Sequence, residues 1–411
     1  MMASGPKATG EPEVLTGSRE QLLHLLAEAS EIEHSLMCSY LYAAFSLKPE
    51  DHSDFSGDEA AAVARWRKAI MGVAIEEMGH MIMVANLTVA VGGRPHFARP
   101  NFPVSPGYFP SGVVVRLSGF SRETLDHFIF LERPRGVEGE DGDTYEQAGY
   151  ERDQAGPGLM PSAQDYDTIG HLYEAIRANL RALVAQLGEG GLFLGSRASQ
   201  VTRSVVGIKG IVPIGTLNEA LSTIDLIVEQ GEGAPADRAE SHYRTFRTVS
   251  DEFDAISAKR PGFAAAWPVA ENPVLRKPPE PEDKVHIDAP DAARLLDFAC
   301  ASYGLLLRTL GQLFGRAGAN IEDDQRALMA VAFDLMHALG GAATALATLP
   351  ASPGSAHNAG MSFTMLRGVE PLLATVEQAL IKEQLHALGS ADVPADLTSR
   401  LCRAATDFAS R

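Results

Sequence analysis

The chemistry of this sequence starts with an acid and an imidazole one helical turn apart. They are Glu77 and His80, inside WRKAIMGVAIEEMGHMIMVANLTVAVGG at residues 66–93. Val63, Trp66, Ile70, Val73, Glu77, Met81, Val84, Leu87 and Val91 recur at three- and four-residue steps, the period of a buried helical face. Glu77 stands where an apolar residue belongs, His80 lies beside it, and Glu76 points elsewhere. Ionisable groups on an apolar stripe need partners to offset desolvation. Glu-x-x-His on a bundle helix is the ligand pair from which dimetal carboxylate sites are built. A single instance is common by chance, so the reading depends on matching donors from other helices.

Three more helices offer them. The first is predicted from Ser18, which forms a capping box with Gln21, to about residue 47. Its stripe of Leu22, Leu26, Ala29, Glu33, Leu36, Tyr40 and Ala44 is interrupted by Glu33, with Tyr40 two turns further along. The third, over 162–187, has Ile169, Leu172, Ile176, Leu180, Leu183 and Leu187 as its large apolar face; its second face offers Glu174, with His171 as the alternative donor. The fourth begins near Thr216 and carries Glu229 and Glu232 one turn apart. It is broken by Gly231, Gly233 and Pro235 and resumes at His242. Carboxylates and imidazoles without thiolates suit iron, with manganese as the alternative, so two iron ions are expected. Tyr40 is expected beside them, either hydrogen-bonding a ligand or giving up an electron.

Positioning these groups takes an all-α architecture, a four-helix bundle with loop and short-strand insertions followed by a C-terminal helical domain. The boundaries read as a flexible arm at 1–17, the bundle at 18–267 with insertions at 92–161 and 188–215, a Pro-rich linker at 268–284, and the C-terminal domain at 285–411. Within the insertions, 113–117 reads as a strand and 121–131 as a short helix capped by Ser121. The runs around 192–194 and 205–214 are expected to pair as strands. Beyond the linker, helices are predicted at 291–314, 322–346, 361–388 and 394–410. The Pro-, Gly- and aromatic-rich segment 92–108 is expected to cover the site, with Arg94, His96 and Arg99 holding an anionic substrate.

A formal net charge of -18 argues against nucleic acid and anionic membranes as main partners. No run reads as apolar enough to span a bilayer, since the most hydrophobic helix holds Glu76, Glu77 and His80. Three scattered cysteines, Cys38, Cys300 and Cys402, suit a reducing compartment. The first residues, MMASGPKATGEPEV, lack the basic and apolar regions of a signal peptide. A cytoplasmic location is the expectation.

Several stretches resemble one family. They are EIEHSLMCSYLYAAFSLK (31–48), EEMGHMIMVANLTVAVGGRPHFARPNFP (76–103), LERP (131–134), TIGHLYEAI (168–176), and IVEQGEG followed by SHYRTF (227–246). Together they are similar to the ferritin-like domain of the iminophenyl-pyruvate dimer synthase type, found in bacterial secondary-metabolite pathways such as violacein biosynthesis. The resemblance implies a ferritin-like dimetal bundle. It implies ligation by Glu33, Glu77, His80 and Glu229, and by Glu232 and His242 in the QGEG and SH motifs. It also implies an acid near the position of His171, where this chain has Glu174 one turn later. The expected function is a non-haem di-iron oxidase or oxygenase using dioxygen or peroxide on an amino-acid-derived small molecule, as in oxidative coupling of imines. The alternative is a ferritin-like ferroxidase or metal-binding protein with no organic substrate. A homo-oligomer is compatible with either.

Overall fold

A computed structural model describes residues 17–105, 107–110, 113–134, 168–231, 241–314, 321–373 and 375–409. Val137, Asp141, Gly142, Tyr145, Pro161 and Tyr166 are described between these stretches. Two long helices form its axis, α1 (Arg19–Ser46) and α2 (Gly57–Ala90). Ser18 caps α1 by accepting from the Gln21 amide, and Ser56 and Glu59 cap α2 with a reciprocal pair of side-chain bonds. The connection is short, and Arg19 at the start of α1 donates to the Val91 carbonyl just past the end of α2, so the pair is antiparallel. Both helices are buried on most sides, because other elements pack on each flank.

On one flank lie α3 (Arg122–Leu131), capped by Ser121, and α8 (His242–Lys259), capped by Ser241; α3 packs on α8, and α8 on α2. On the other lie α4 (Ile169–Leu187) and α7 (Leu217–Gln230), where α4 packs on α1 and α7, and α7 on α2. Thr168 and Thr216 cap these two helices. The break expected after residue 230 is present: Gly231 ends α7 and Ser241 starts α8. The stretch between α4 and α7 holds two single-turn helices, α5 (Glu189–Leu192) and α6 (Arg203–Val206), rather than paired strands. Its backbone is tied down by side chains instead of a ladder. Asn86 bonds the Val201 and Val212 carbonyls, and Gln200 bonds both polar groups of the Ile214 backbone. Residues 113–117 likewise form no strand. Among the described residues the strands are β1 (Pro273–Val274), inside the segment that reads as a linker, and β2 (Val285–His286), just beyond it; the two pair in parallel.

The C-terminal region contains α9 (Pro290–Gln312), α10 (Ile321–Leu346), α11 (Glu377–Gly389) and α12 (Ala395–Ala409). The helix expected at 361–388 is confined to its second half. Residues 361–365 are non-helical and lie against the bundle, where Phe363 gives its carbonyl to Arg99 and Met365 pairs with Asn101. By length and composition α2 and α10 reach what a membrane span requires, contrary to the expectation from the sequence. Most of the apolar window of each is packed inside the protein.

Trp66 anchors the outer end of α2. It is 1% exposed, stacks on Phe120 at 5.5 Å, and donates from Nε1 to Glu252 Oε2 at 2.7 Å. Trp66→Ala should lower the unfolding free energy by about 3–5 kcal/mol. Equilibrium urea unfolding measures this, and a loss below about 1 kcal/mol would show that the aromatic cluster does not hold this end of the bundle.

Candidate metal centre

Four elements send polar side chains into the space beside α1 and α2. Glu33 comes from the middle of α1, Glu77 and His80 from α2, Glu132 from the residue that ends α3, and His242 from the first turn of α8. All five are at most 1% exposed. They form two trios that share Glu77, one with Glu33 and His80 and the other with Glu132 and His242. Within each trio the ligand atoms lie within 4.8 Å of one another. That is close to the diameter of a coordination sphere with bonds of about 2.0–2.3 Å.

Glu77 divides its oxygens between the trios. Oε2 lies 2.7 Å from His80 Nδ1 and Oε1 lies 3.1 Å from His242 Nδ1. Glu33 Oε2 is 3.4 Å from His80 Nδ1, and Glu132 Oε2 is 3.4 Å from His242 Nδ1. Both imidazoles therefore turn Nδ1 inward. Their outer nitrogens have acceptors: His80 Nε2 faces Gln230 Oε1 at 3.2 Å, and His242 Nε2 faces Glu76 Oε2 at 2.8 Å. An Nε2–H donated outward leaves the Nδ1 lone pair free for an ion, the usual support for a ligating histidine. The rings stack with centroids 5.7 Å apart. Two tyrosines hold the carboxylates from behind: Tyr173 donates to Glu33 Oε1 and Tyr40 to Glu132 Oε1. Tyr40 packs with Phe128 and Phe246 in an aromatic wall that keeps the dielectric low.

The fit to metal shows in what the protein leaves unmade. Glu132 Oε2 and His242 Nδ1 are buried and make no hydrogen bond, although they face each other. Buried polar atoms are seldom left so, and a cation between them would satisfy both. The titration of the cluster points the same way. Burial acts against charge on each histidine, yet the charges of Glu77 and Glu33 hold His80 well above the ordinary histidine range. Those of Glu132 and Glu77 do the same for His242. Burial raises Glu77, helped by the charge on Glu33. Glu33 is lowered despite its burial, by hydrogen bonds with Glu77, His80 and Tyr173. The cluster draws in positive charge, as protons or as ions.

Of the residues expected to ligate, Glu33, Glu77, His80 and His242 are brought together and Tyr40 stands directly behind them. Glu174 is not: its carboxylate is 43% exposed and pairs with Arg177 at 3.2 Å, because α4 turns its bulky apolar face to the core. The alternative on that helix, His171, is buried but belongs to neither trio. Glu229 is exposed, and its neighbour Gln230 is the residue of α7 that reaches inward. Glu232 lies outside the described residues. The third carboxylate is Glu132, in a segment that reads from sequence as an insertion. The signal was the acid closing the apolar run FIFLE on a capped helix, inside the LERP stretch. Glu76 and Gln230, which aim the histidines, carry no sequence signal beyond adjacency to ligating motifs. The guanidinium of Arg99 is already engaged within the protein. It is buried against the C-terminal region, donating to the Phe363 carbonyl and the Tyr303 hydroxyl, and His96 pairs with Glu31.

The Ferritin-like family model matches residues 26–251, a span that contains the whole cluster. The chain is 27% identical over 339 residues to dichlorochromopyrrolate synthase from Lentzea aerocolonigenes, covering 72% of this chain and 31% of that protein. It is 26% identical over 288 residues to 2-imino-3-(indol-3-yl)propanoate dimerase from Chromobacterium violaceum, covering 64% of this chain and 26% of that protein. The chain thus spans about a third or less of the length of the curated relatives it matches. A crystal structure of a ferritin-like protein from Caulobacter vibrioides aligns with a TM-score of 0.49 and 18% identity, over 80% of this chain and 95% of that one.

Glu132→Ala should reduce the metal bound per chain from about two ions towards one. Glu174→Ala and Glu229→Ala should leave the content unchanged. Elemental analysis after loading distinguishes these outcomes. Glu76→Ala and Gln230→Ala should retain both ions but bind them about 10–100-fold more weakly. Loading also has a pH signature. With both histidines held above their ordinary range, an ion must displace protons from Nδ1, so apparent affinity falls as pH falls. Titration in weak buffer with a pH indicator should record proton release; uptake without release would contradict the assigned donors.

Proposed function

The chain belongs to the ferritin-like family, and from that premise we propose that its cluster holds two metal ions and catalyses an oxidation of an amino-acid-derived small molecule. The supporting observation is the pair of trios joined by Glu77, with inward Nδ1 atoms and unpartnered buried donors on the Glu132 side. Oxygen-rich donors with one imidazole per ion suit iron, and manganese fits the same set. Such ions, when bound, supply paired one-electron chemistry with dioxygen or peroxide. The protein's own contribution is to hold and screen. Glu77 fixes the spacing of the two positions. Tyr40 and Tyr173 keep the outer carboxylates in orientation through donated hydrogen bonds. Phe128 and Phe246 exclude water.

The donor set also suggests a substrate class. Two divalent ions carry more positive charge than three inward carboxylates neutralise, so the centre favours a substrate with a carboxylate of its own. The relatives' names, a synthase of dichlorochromopyrrolate and a dimerase of an imino-indolylpropanoate, agree with an imino acid. Joining two such molecules through carbon removes two electrons and two protons, a balance that reduction of dioxygen to peroxide accepts.

The test is oxygen uptake by protein loaded anaerobically with ferrous iron. Uptake should depend on an added imino acid generated from an aromatic amino acid, and Glu77→Ala should lower it by about 100-fold or more. Tyr40→Phe should slow it less, while keeping the metal. Iron oxidation that continues beyond two ions per chain, with no consumption of the imino acid, would instead identify a ferroxidase.

A further inference from the structure

On the side of α1 and α2 that faces α9 and α10, the bundle and the C-terminal region enclose a cavity of about 960 Å³. No residue of the two trios lines it. Met37 and Met81, each one turn beyond a clustered glutamate, form part of its wall, and Leu306, Leu307, Leu310 and Phe363 close it from the other side. Six of the lining side chains are methionines. These are flexible and polarisable, and they favour contact with aromatic rings. At the rim, Ile75 and Phe333 are 47% and 42% exposed, an arrangement an occupant would cover.

The polar side chains of the lining are Arg67, Tyr303, His337, Thr344 and Thr348. Each already bonds within the protein. Arg67 donates to the Leu47 and Lys48 carbonyls, and His337 Nδ1 meets the Phe333 carbonyl at 2.7 Å. Thr344 and Thr348 donate to the Gly340 and Ala345 carbonyls. The Tyr303 hydroxyl lies among His34, Arg99 and Cys38. The wall therefore offers an incoming charge no carboxylate or lysine, and its one guanidinium already donates to two carbonyls. A charged ligand would lose most of its hydration against a lining that is chiefly apolar, whereas an uncharged one loses far less. The volume is that of a small-molecule site.

We propose that this cavity is a second binding site, independent of the metals, for one uncharged aromatic molecule. Its walls share α1 and α2 with the clustered glutamates, so an occupant packs against the same helices that carry them. The test uses two fluorescent probes with one ring skeleton, neutral N-phenyl-1-naphthylamine and anionic 1-anilinonaphthalene-8-sulfonate. The neutral probe should saturate at one per chain and bind about tenfold or more tightly than the sulfonate. It should do so equally in metal-free protein and in Glu77→Ala, which separates this site from the metal centre. Thr344→Trp at the rim and Ala345→Trp deeper in should each weaken neutral-probe binding about tenfold, with melting temperature and metal content retained. Ala330→Trp, exposed on the same helix outside the cavity, should not. Thr344 is exposed, so its variant keeps the test decisive if the deeper one fails to fold. Equal binding of the two probes, non-saturating binding, or blocking variants that bind as wild type would overturn the proposal. So would binding that appears only on dilution, in step with dissociation of a dimer, because the occupant would then be a second copy of the chain.

Discussion

Glu33, Glu77 and Glu132 lie together in a helical interior with almost no exposure, and ionised carboxylates there are stable only beside positive charge. The surrounding arrangement answers that requirement. Two histidines turn their inner nitrogens to the carboxylates, two tyrosines donate to the outer oxygens, and aromatic rings keep water away. Without metal the positive charge is carried by protons, which is why both histidines sit well above their ordinary range while Glu33 sits below its own. With metal the same donors are relieved of those protons. One set of atoms serves both states, so the cluster can stay assembled through loading with little rearrangement of its scaffold.

The sequence shows the two axial helices clearly because their stripes are long and the intruding acids stand out against them. Glu33 and Glu77 break apolar periodicities of seven and nine positions, and both prove to be clustered. The same reasoning misplaced the third and fourth acids. Glu174 and Glu229 lie on helices with one strongly apolar face, and a residue well off that face goes to solvent. Glu132 has no stripe to interrupt: it follows a ten-residue helix too short to show one, and its position depends on how α3 packs on α8. The strands expected at 192–194 and 205–214 fail on similar grounds. Apolar runs punctuated by glycine fit a strand or a packed single turn equally well, and tertiary bonds from Asn86 and Gln200 settled the outcome.

The C-terminal region is joined to the bundle by a different kind of buried polarity. Arg99 is 5% exposed, lies over the Phe102 ring at 4.1 Å, and donates to the Phe363 carbonyl and Tyr303 hydroxyl. Burial keeps the neighbouring His34 neutral and holds the Tyr303 phenol well above its usual range, so the knot has one cation among neutral acceptors. Carbonyls and a ring face compensate it without a second charge. Such a contact is sensitive to displacement, because each acceptor lies on a different segment. It fixes where residues 361–365 lie, and with them one wall of the apolar cavity.

The two trios are not equivalent. In the Glu33 trio, each carboxylate oxygen of Glu33 and both nitrogens of His80 have a neighbour within hydrogen-bonding reach, including Tyr173 and Gln230. In the Glu132 trio, Glu132 Oε2 and His242 Nδ1 make no hydrogen bond, although His242 Nδ1 lies 3.1 Å from Glu77 Oε1 and 3.4 Å from Glu132 Oε2. The residue three before His242 is Ala239, so the Glu-x-x-His spacing of α2 does not recur in the sequence there. The outer partner of His242 is Glu76, whose side chain is 42% exposed, whereas the cluster is otherwise sealed. Among the described residues each trio supplies three donors, and the Glu132 half is the one whose histidine has a solvent-facing support. On the proposed dimetal reading, an external oxygen donor such as a substrate carboxylate would enter on the Glu132 side, where two buried ligand atoms make no hydrogen bond.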